Sequence, residues 1–105
     1  MEKIVVVLTT LPEGAAIDEL ARTLLEGHHA ACISVLPVQV STYRWQGALE
    51  TAREHQLLIK TTAGRVPALR EAMRALHPYE VPEWLVIPVT GGDPRYLAWI
   101  ASAGR

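Results

Sequence analysis

The sequence lacks the features that mark several classes of protein. Its 105 residues contain one cysteine, no asparagine and no phenylalanine. One cysteine cannot form an intrachain disulfide or a Cys-x-x-Cys metal site, and such usage is typical of a reducing compartment. No apolar run approaches the roughly 20 residues of a membrane-spanning helix. Met1-Glu2-Lys3 leads into a β-branched run without a basic n-region, so we expect no secretory signal peptide and a cytoplasmic protein.

The sequence also lacks an excess of charge of either sign. Ten Lys and Arg residues stand against 11 Asp and Glu, for a net charge of −1. This balance indicates no basic surface for nucleic acid. Half of the residues are hydrophobic and 20% are charged, which excludes an intrinsically disordered chain. The length is that of one compact domain, and we interpret residues 1–105 as a single domain.

The first third of the chain predicts a strand followed by a helix. Ile4–Thr10 is a short β-branched apolar run, typical of a buried strand. Apolar residues at helical spacing over 17–25 predict a helix with one apolar face. Thr10 and Glu13 have the spacing of a capping box for this helix, and Gly27 is placed to end it as a C′ glycine.

The middle of the chain predicts a long β-hairpin. Strand patterns cover Ala30–Leu36 and Val38–Trp45, separated by Pro37, and resume over Ala48–Thr62 after a Gln46-Gly47 turn. Each arm has about 15 residues, against a usual strand length of about 5–6.

The outer half of this hairpin is apolar. Its side chains include those of Val38, Val40, Tyr43, Trp45 and Leu49, which the helices of one small domain cannot cover. An exposed apolar arm favours self-association into a closed assembly. We therefore predict Tyr43 and Trp45 as anchors of an interface between copies of the chain.

The last part of the chain repeats the helix and strand pattern. A second helix is predicted over Gly64–His77, a strand over Trp84–Val89, and a final helix with Asp93 as N-cap and Pro94 in its first turn. The resulting order is β-α-β-β-α-β with a terminal helix. This order specifies an α+β, ferredoxin-like sandwich with two helices on one face of the sheet.

One cluster of residues has the chemistry of a metal site. His77 precedes an irregular stretch that carries Tyr79, Glu80 and Glu83. An imidazole and two carboxylates so close in sequence can bind a divalent ion. The same residues also allow a purely structural interpretation, in which His77 ends a helix and Glu83 is solvated.

The remaining candidates favour structural roles. His28 and His29 lie at a predicted helix end, His55 lies within a strand, and Cys32 follows two alanines as a small buried side chain. Walker A, G-x-G-x-x-G, G-x-S-x-G and H-E-x-x-H motifs are absent from the sequence. We therefore expect no enzymatic activity and no organic cofactor.

Six stretches spread over the chain resemble the CutA family of divalent-cation tolerance proteins. They are Val5–Thr10 with Pro12, Ala30-Ala31-Cys32 with Pro37, Ser41–Gly47, Leu58–Thr61, His77–Glu83 (HPYEVPE), and Gly92-Asp93-Pro94 with Tyr96, Leu97 and Trp99. The resemblance runs from end to end in the family's order, and HPYEVPE is a specific segment.

This resemblance implies a ferredoxin-like fold, a tight homotrimer similar to PII signalling proteins, and a role in tolerance of copper and other divalent ions without catalysis. It implies His77 and Glu83 as ligands of Cu(II) or another divalent cation. Thr9 stands where some members carry Cys, and Leu76 where some carry a second His, which weakens a soft-ligand copper site.

A second interpretation belongs to a different functional class. In it the chain is a PII-like regulatory or scaffold trimer, which binds a small molecule or a protein partner in the clefts between subunits. Under both interpretations we expect no nucleic acid or membrane partner.

Overall fold

The computed structural model describes residues 2–103. The strands are β1 (Ile4–Pro12), β2 (Cys32–Val35), β3 (Gln39–Trp45), β4 (Ala48–Thr62) and β5 (Leu85–Pro88); the helices are α1 (Ile17–Glu26), α2 (Val66–Arg74) and α3 (Pro94–Ala103), with a 3-10 helix at Ala63–Arg65. All strand pairs are antiparallel. The α+β ferredoxin-like class predicted from the sequence is confirmed.

The long strand β4 organises the sheet. Its second half pairs with β1 on one side, in a register that places Thr10 opposite Gln56, and with β2 on the other. Its first half pairs with β3, and β5 lies on the far side of β1, so the strand order is β2-β4-β1-β5.

The two faces of the sheet are covered by different helices. Val7 and Ile59 point to one face and pack, fully buried, with Leu24 of α1 and Leu69 of α2. Complete burial of such aliphatic side chains contributes about 1.5–3 kcal/mol each. Lys60 points to the opposite face, where its Nζ lies 5.8 Å from the centroid of the Tyr96 ring in α3.

The predicted capping box at the start of α1 is wrong. β1 continues through Thr10 to Pro12, because the ladder with β4 supplies backbone partners as far as Glu54. Glu13 N then donates to Arg53 O at 3.0 Å, and the Arg53 guanidinium binds the Glu13 carboxylate at 2.9 Å. A helix capped by Thr10 would begin at Leu11, but α1 begins six residues later, at Ile17, without a side-chain cap.

α1 ends before Gly27, as predicted, but Gly27 is the C-cap of the helix and not the left-handed C′ residue. Gly27 has φ −79°, and the left-handed residue is His28, at φ 58°. His29 N donates to Leu24 O at 3.0 Å and His28 N to Leu25 O at 3.1 Å, which is the Schellman arrangement. Gly27 serves a different purpose: a Cβ at this position would lie 2.9 Å from Cδ2 of His29.

The predicted hairpin is present, with one continuous arm and one broken arm. β4 runs for 15 residues, whereas the other arm is interrupted between β2 and β3 at Pro37. His55 bridges this break, since its Nδ1 lies 2.8 Å from Leu36 O. Gln46 and Gly47 form the turn, both at positive φ, as a type I′ turn requires.

The second helix is shorter than predicted. The sequence pattern predicts a helix over Gly64–His77, but a 3-10 helix occupies Ala63–Arg65 and α2 ends at Arg74. Leu76 N and His77 N both donate to Met73 O, so the chain leaves the helix in a tight turn. This exit places His77 beside β1, where its Nε2 atom contacts Thr10 O.

Candidate functional site

Residues 77–84, here called the 77–84 segment, run beside the end of β1. β5 pairs with β1 as far as Leu85 opposite Leu8, and the 77–84 segment precedes this pairing. Thr9 Oγ1 donates to Glu83 O at 2.8 Å, and Thr9 is completely buried. At this position the hydroxyl anchors the backbone of the 77–84 segment to the sheet.

Both ring nitrogens of His77 are engaged. Nε2 lies 2.6 Å from Thr10 O, and a carbonyl oxygen can only accept, so Nε2 carries the proton. Nδ1 accepts a hydrogen bond from Tyr79 N at 3.2 Å. A metal ion needs an imidazole lone pair, so His77 can bind one only after it releases one of these partners.

Glu83 is held by a single amide. Gln56 Nε2 donates to Glu83 Oε2 at 2.7 Å and to Thr9 O at 3.0 Å, which uses both of its hydrogens. The bond fixes one carboxylate oxygen and leaves Glu83 half-buried. Glu83 is therefore oriented by the sheet as well as by its own segment.

Glu54 and Tyr79 form a second polar pair. Glu54 is only 9% exposed and accepts a hydrogen bond from Tyr79 OH at 3.1 Å. Burial, followed by the hydrogen bond to Glu54 and the negative charge of Glu54, raises the pKa of Tyr79 to about 12. Tyr79 is therefore a neutral donor at physiological pH, and it holds the Glu54 carboxylate in place.

Glu54, Tyr79 and Glu83 line a pocket of about 460 Å³, here called the acidic pocket. Three of its lining residues are carboxylates: Glu54, Glu80 and Glu83. The others are the aromatics Tyr43, Trp45 and Tyr79, together with Thr10, Ser41, Ala52 and Val81. Among residues 2–103, no Lys, Arg or His lines this pocket, so its electrostatic field favours a cation over an anion.

The acidic pocket brings together three of the four residues predicted from the sequence. Glu83 lies in it with Tyr43 and Trp45, both of which are exposed on β3. His77 instead lines a neighbouring pocket of about 270 Å³. Among residues 2–103, no three His, Cys, Asp or Glu side chains come close enough together to hold a metal ion.

Sequence reasoning missed Glu54 and Gln56. They are two apart on β4, on the same face as Thr10, which stands opposite Gln56 in the register. Polar residues two apart on a strand lie on the same face, so this spacing within the inner half of the hairpin could have indicated a polar site. Their partners were not predictable, because Tyr79 and Glu83 reach them from a segment without regular structure.

The helices are too short to cross a membrane: within residues 2–103, none has both the length and the apolar character that a span requires.

Comparison with known proteins places this chain in a family. Residues 5–103 match the family described as CutA1 divalent ion tolerance protein. The divalent-cation tolerance protein CutA of Pectobacterium atrosepticum is 45% identical over 101 residues, which is 96% of this chain and 92% of the relative.

Solved structures agree over nearly the whole chain. CutA1 from Oryza sativa superposes with a TM-score of 0.92 at 36% identity, covering 99% of this chain and 95% of its own. The PII-like protein CutA from Nostoc sp. PCC 7120 gives 0.86 at 30% identity, with coverage of 98% and 97%. A CutA from Archaeoglobus fulgidus, named as a periplasmic divalent cation tolerance protein, gives 0.90 at 27% identity, with coverage of 97% and 99%. The chain therefore belongs to the CutA1 family of divalent ion tolerance proteins.

Proposed function

We propose that the protein acts in divalent-cation tolerance as a non-catalytic homotrimer that binds a divalent ion in the acidic pocket. One observation carries this proposal: three carboxylates, Glu54, Glu80 and Glu83, line a pocket to which the described part of the chain, residues 2–103, contributes no cationic side chain. Carboxylate oxygens are ligands for divalent cations, and Cu(II) leads the divalent first-row metals in affinity for a given set of ligands.

The site is open and binds weakly. Since one subunit brings no three ligands together among residues 2–103, the ion retains water or takes a further ligand from a neighbouring subunit. Glu83 is the principal ligand in this proposal, because Gln56 orients it at the pocket. His77, the other ligand predicted from the sequence, lines the neighbouring pocket with both ring nitrogens engaged, so in this proposal it positions the 77–84 segment and does not bind the ion.

The exposed hairpin supports the homotrimer. Val40 is 61% and Leu49 72% exposed on one face of the hairpin, and Tyr43 and Trp45 are exposed on its other face. Leu85 and Ile87 of β5 are also exposed, so apolar surface extends onto the edge of the sheet. Apolar surface of this extent is typical of a protein interface. The number of copies, three, is proposed because the sequence resembles a family of trimers.

Regulation by a small molecule is the second candidate. It is favoured by the similarity to a structure that is named a PII-like protein. The acidic pocket is a poor site for a phosphorylated effector, because its carboxylates repel phosphate. Screening by thermal shift separates the candidates: a divalent ion stabilises the protein in the first, and an organic effector does so in the second.

We propose a cytoplasmic location, supported by the single free cysteine. Cell fractionation with an antibody to the protein tests it, and recovery in the periplasmic fraction contradicts it.

Calorimetric titration at neutral pH tests the binding site, with Cu(II) and Mn(II) as the two metals. We expect Glu83→Gln to weaken binding about tenfold, which corresponds to about 1.4 kcal/mol. Glu26→Gln, on the exposed end of α1, is the matched control and leaves binding unchanged. Undiminished binding in Glu83→Gln, or loss of binding in His77→Ala alone with its fold intact, overturns Glu83 as the principal ligand.

A further inference from the structure

A second pocket, here called the basic pocket, has the opposite charge from the acidic one. It has a volume of about 270 Å³ and is lined by Arg70 and Arg74 of α2, with Met73 and Trp84. It shares Tyr79 and Glu80 with the acidic pocket, so the 77–84 segment contributes to both. We propose that the basic pocket binds a small aromatic anion, such as an aryl phosphate or aryl carboxylate.

The two arginines supply the recognition of the anion. Residues four apart lie on one face of a helix, and Arg70 and Arg74 both line the pocket from α2. Guanidinium forms paired hydrogen bonds to phosphate and carboxylate oxygens. Their two full positive charges exceed the negative end of the α2 dipole, which is equivalent to about half an elementary charge.

Neither arginine is committed to a strong partner. Arg74 Nη1 lies 3.5 Å from Glu71 Oε1, and the two side chains are 63% and 73% exposed. Exposed pairs of this kind are weak, so an anion can compete for Arg74. Among residues 2–103, no salt bridge joins Arg70 to a carboxylate.

The walls of the pocket supply the aromatic selectivity. Trp84 is half-buried and packs against the hydrophobic core, which fixes one side of its indole. Met73, only 2% exposed, adds an apolar floor. The volume lies below the usual range for drug-sized ligands, which begins at about 300 Å³, so a single ring with one anionic group is the size that fits.

Glu80 makes a specific prediction, because it lines both pockets. Its carboxylate opposes an anion in the basic pocket and attracts a cation in the acidic pocket. Glu80→Gln is therefore expected to tighten the binding of an anion and to weaken the binding of a divalent ion. Because the anion and the divalent ion are titrated separately, the failure of one binding prediction can be distinguished from the failure of the other.

The experiment is calorimetric titration with phenyl phosphate, benzoate, inorganic phosphate and phenol. We expect phenyl phosphate or benzoate to bind, and inorganic phosphate and phenol to bind at least about tenfold more weakly, because each has only half of the recognition elements. The first two probes distinguish a phosphate from a carboxylate ligand. The indole N–H resonance of Trp84, assigned with Trp84→Phe, is expected to shift on binding.

The arginine variants complete the test. Arg70→Gln is expected to weaken phenyl phosphate binding about tenfold or more, the effect of losing a hydrogen bond between charged groups. Arg70→Lys retains the charge and is expected to lie between the wild type and Arg70→Gln. Arg22→Gln on α1 is the matched control. Equal affinity in Arg70→Gln and Arg22→Gln, or no binding of either aryl anion to the wild type, overturns the proposal.

Discussion

The Nε2 atom of His77 lies 2.6 Å from the carbonyl oxygen of Thr10 and donates its proton there. The other ring nitrogen, Nδ1, accepts a hydrogen bond from Tyr79 N. His77 therefore connects the end of α2, the end of β1 and the start of the 77–84 segment. His77 therefore positions the segment that carries Glu80 and Glu83 into the acidic pocket.

His77→Ala is therefore expected to lower the stability of the fold. It removes two hydrogen bonds and leaves a partly buried backbone N–H and C=O without these partners, at a cost of about 1–3 kcal/mol in the free energy of unfolding. Urea denaturation measures this change. Glu71→Ala, at an exposed position on α2, is the control and is expected to stay within about 0.5 kcal/mol of the wild type. Equal stability of the two variants would show that the His77 bonds contribute nothing.

The Tyr79–Glu54 pair predicts a loss of stability at high pH. The pKa of Tyr79 is about 12 in the folded protein, against 10.0 for an unperturbed tyrosine. Below pH 10.0, Tyr79 is protonated in both the folded and the unfolded state, and its contribution to the free energy of unfolding is complete. Between the two values the unfolded state releases its proton and the folded state retains it, so unfolding becomes more favourable as the pH rises.

Denaturant titrations across this alkaline range measure the effect. Tyr79→Phe is the matched variant, because it retains the ring and removes the titrating hydroxyl. The wild type is expected to lose more stability than Tyr79→Phe as the pH rises. Parallel curves would contradict the assignment of the shift to Tyr79.

His28→Gly is expected to stabilise the protein. His28 adopts φ 58° at the C′ position of α1, where a non-glycine residue is strained by about 1–3 kcal/mol. Glycine relieves this strain at a small entropic cost, so we expect a gain of about 1 kcal/mol in the free energy of unfolding. His28→Ala retains the strain and is expected to show no such gain; thermal unfolding of both variants measures the difference.

Trp45→Ala is expected to weaken the proposed trimer. Trp45 lies on the outer hairpin, where it remains 40% exposed, and an aromatic buried at the centre of an interface contributes about 2–4 kcal/mol. Light scattering over a dilution series measures the dissociation. Leu25→Ala, at an exposed apolar position on α1, is the control. A wild-type protein that is monomeric at micromolar concentration, or equal dissociation of both variants, would contradict the proposed interface.

The regular elements were predictable from the sequence because their signals are local. The strand pattern of Ala48–Thr62 predicts a long strand, and β4 has those bounds. Asp93 was predicted as an N-cap, and its Oδ1 accepts Arg95 N at 2.9 Å. The predicted cap of α1 was wrong because pairing with β4, which is distant in sequence, extends β1 past Thr10.

The candidate site was only partly predictable. HPYEVPE identified His77 and Glu83, but the sequence does not show that the His77 nitrogens bind Thr10 O and Tyr79 N. Glu54 reaches its partner Tyr79 across 25 positions of the chain, a distance over which residue spacing carries no information. The charge of the acidic pocket follows from that tertiary arrangement.

The most direct measurement of the central claim is a crystal soaked in Cu(II), with an anomalous difference map calculated at the copper edge. We predict a peak in the acidic pocket, within bonding distance of Glu83, while the His77 ring retains its contacts with Thr10 O and Tyr79 N. A peak on the His77 ring with none at Glu83, or an empty acidic pocket in a crystal that binds copper elsewhere, would contradict the account.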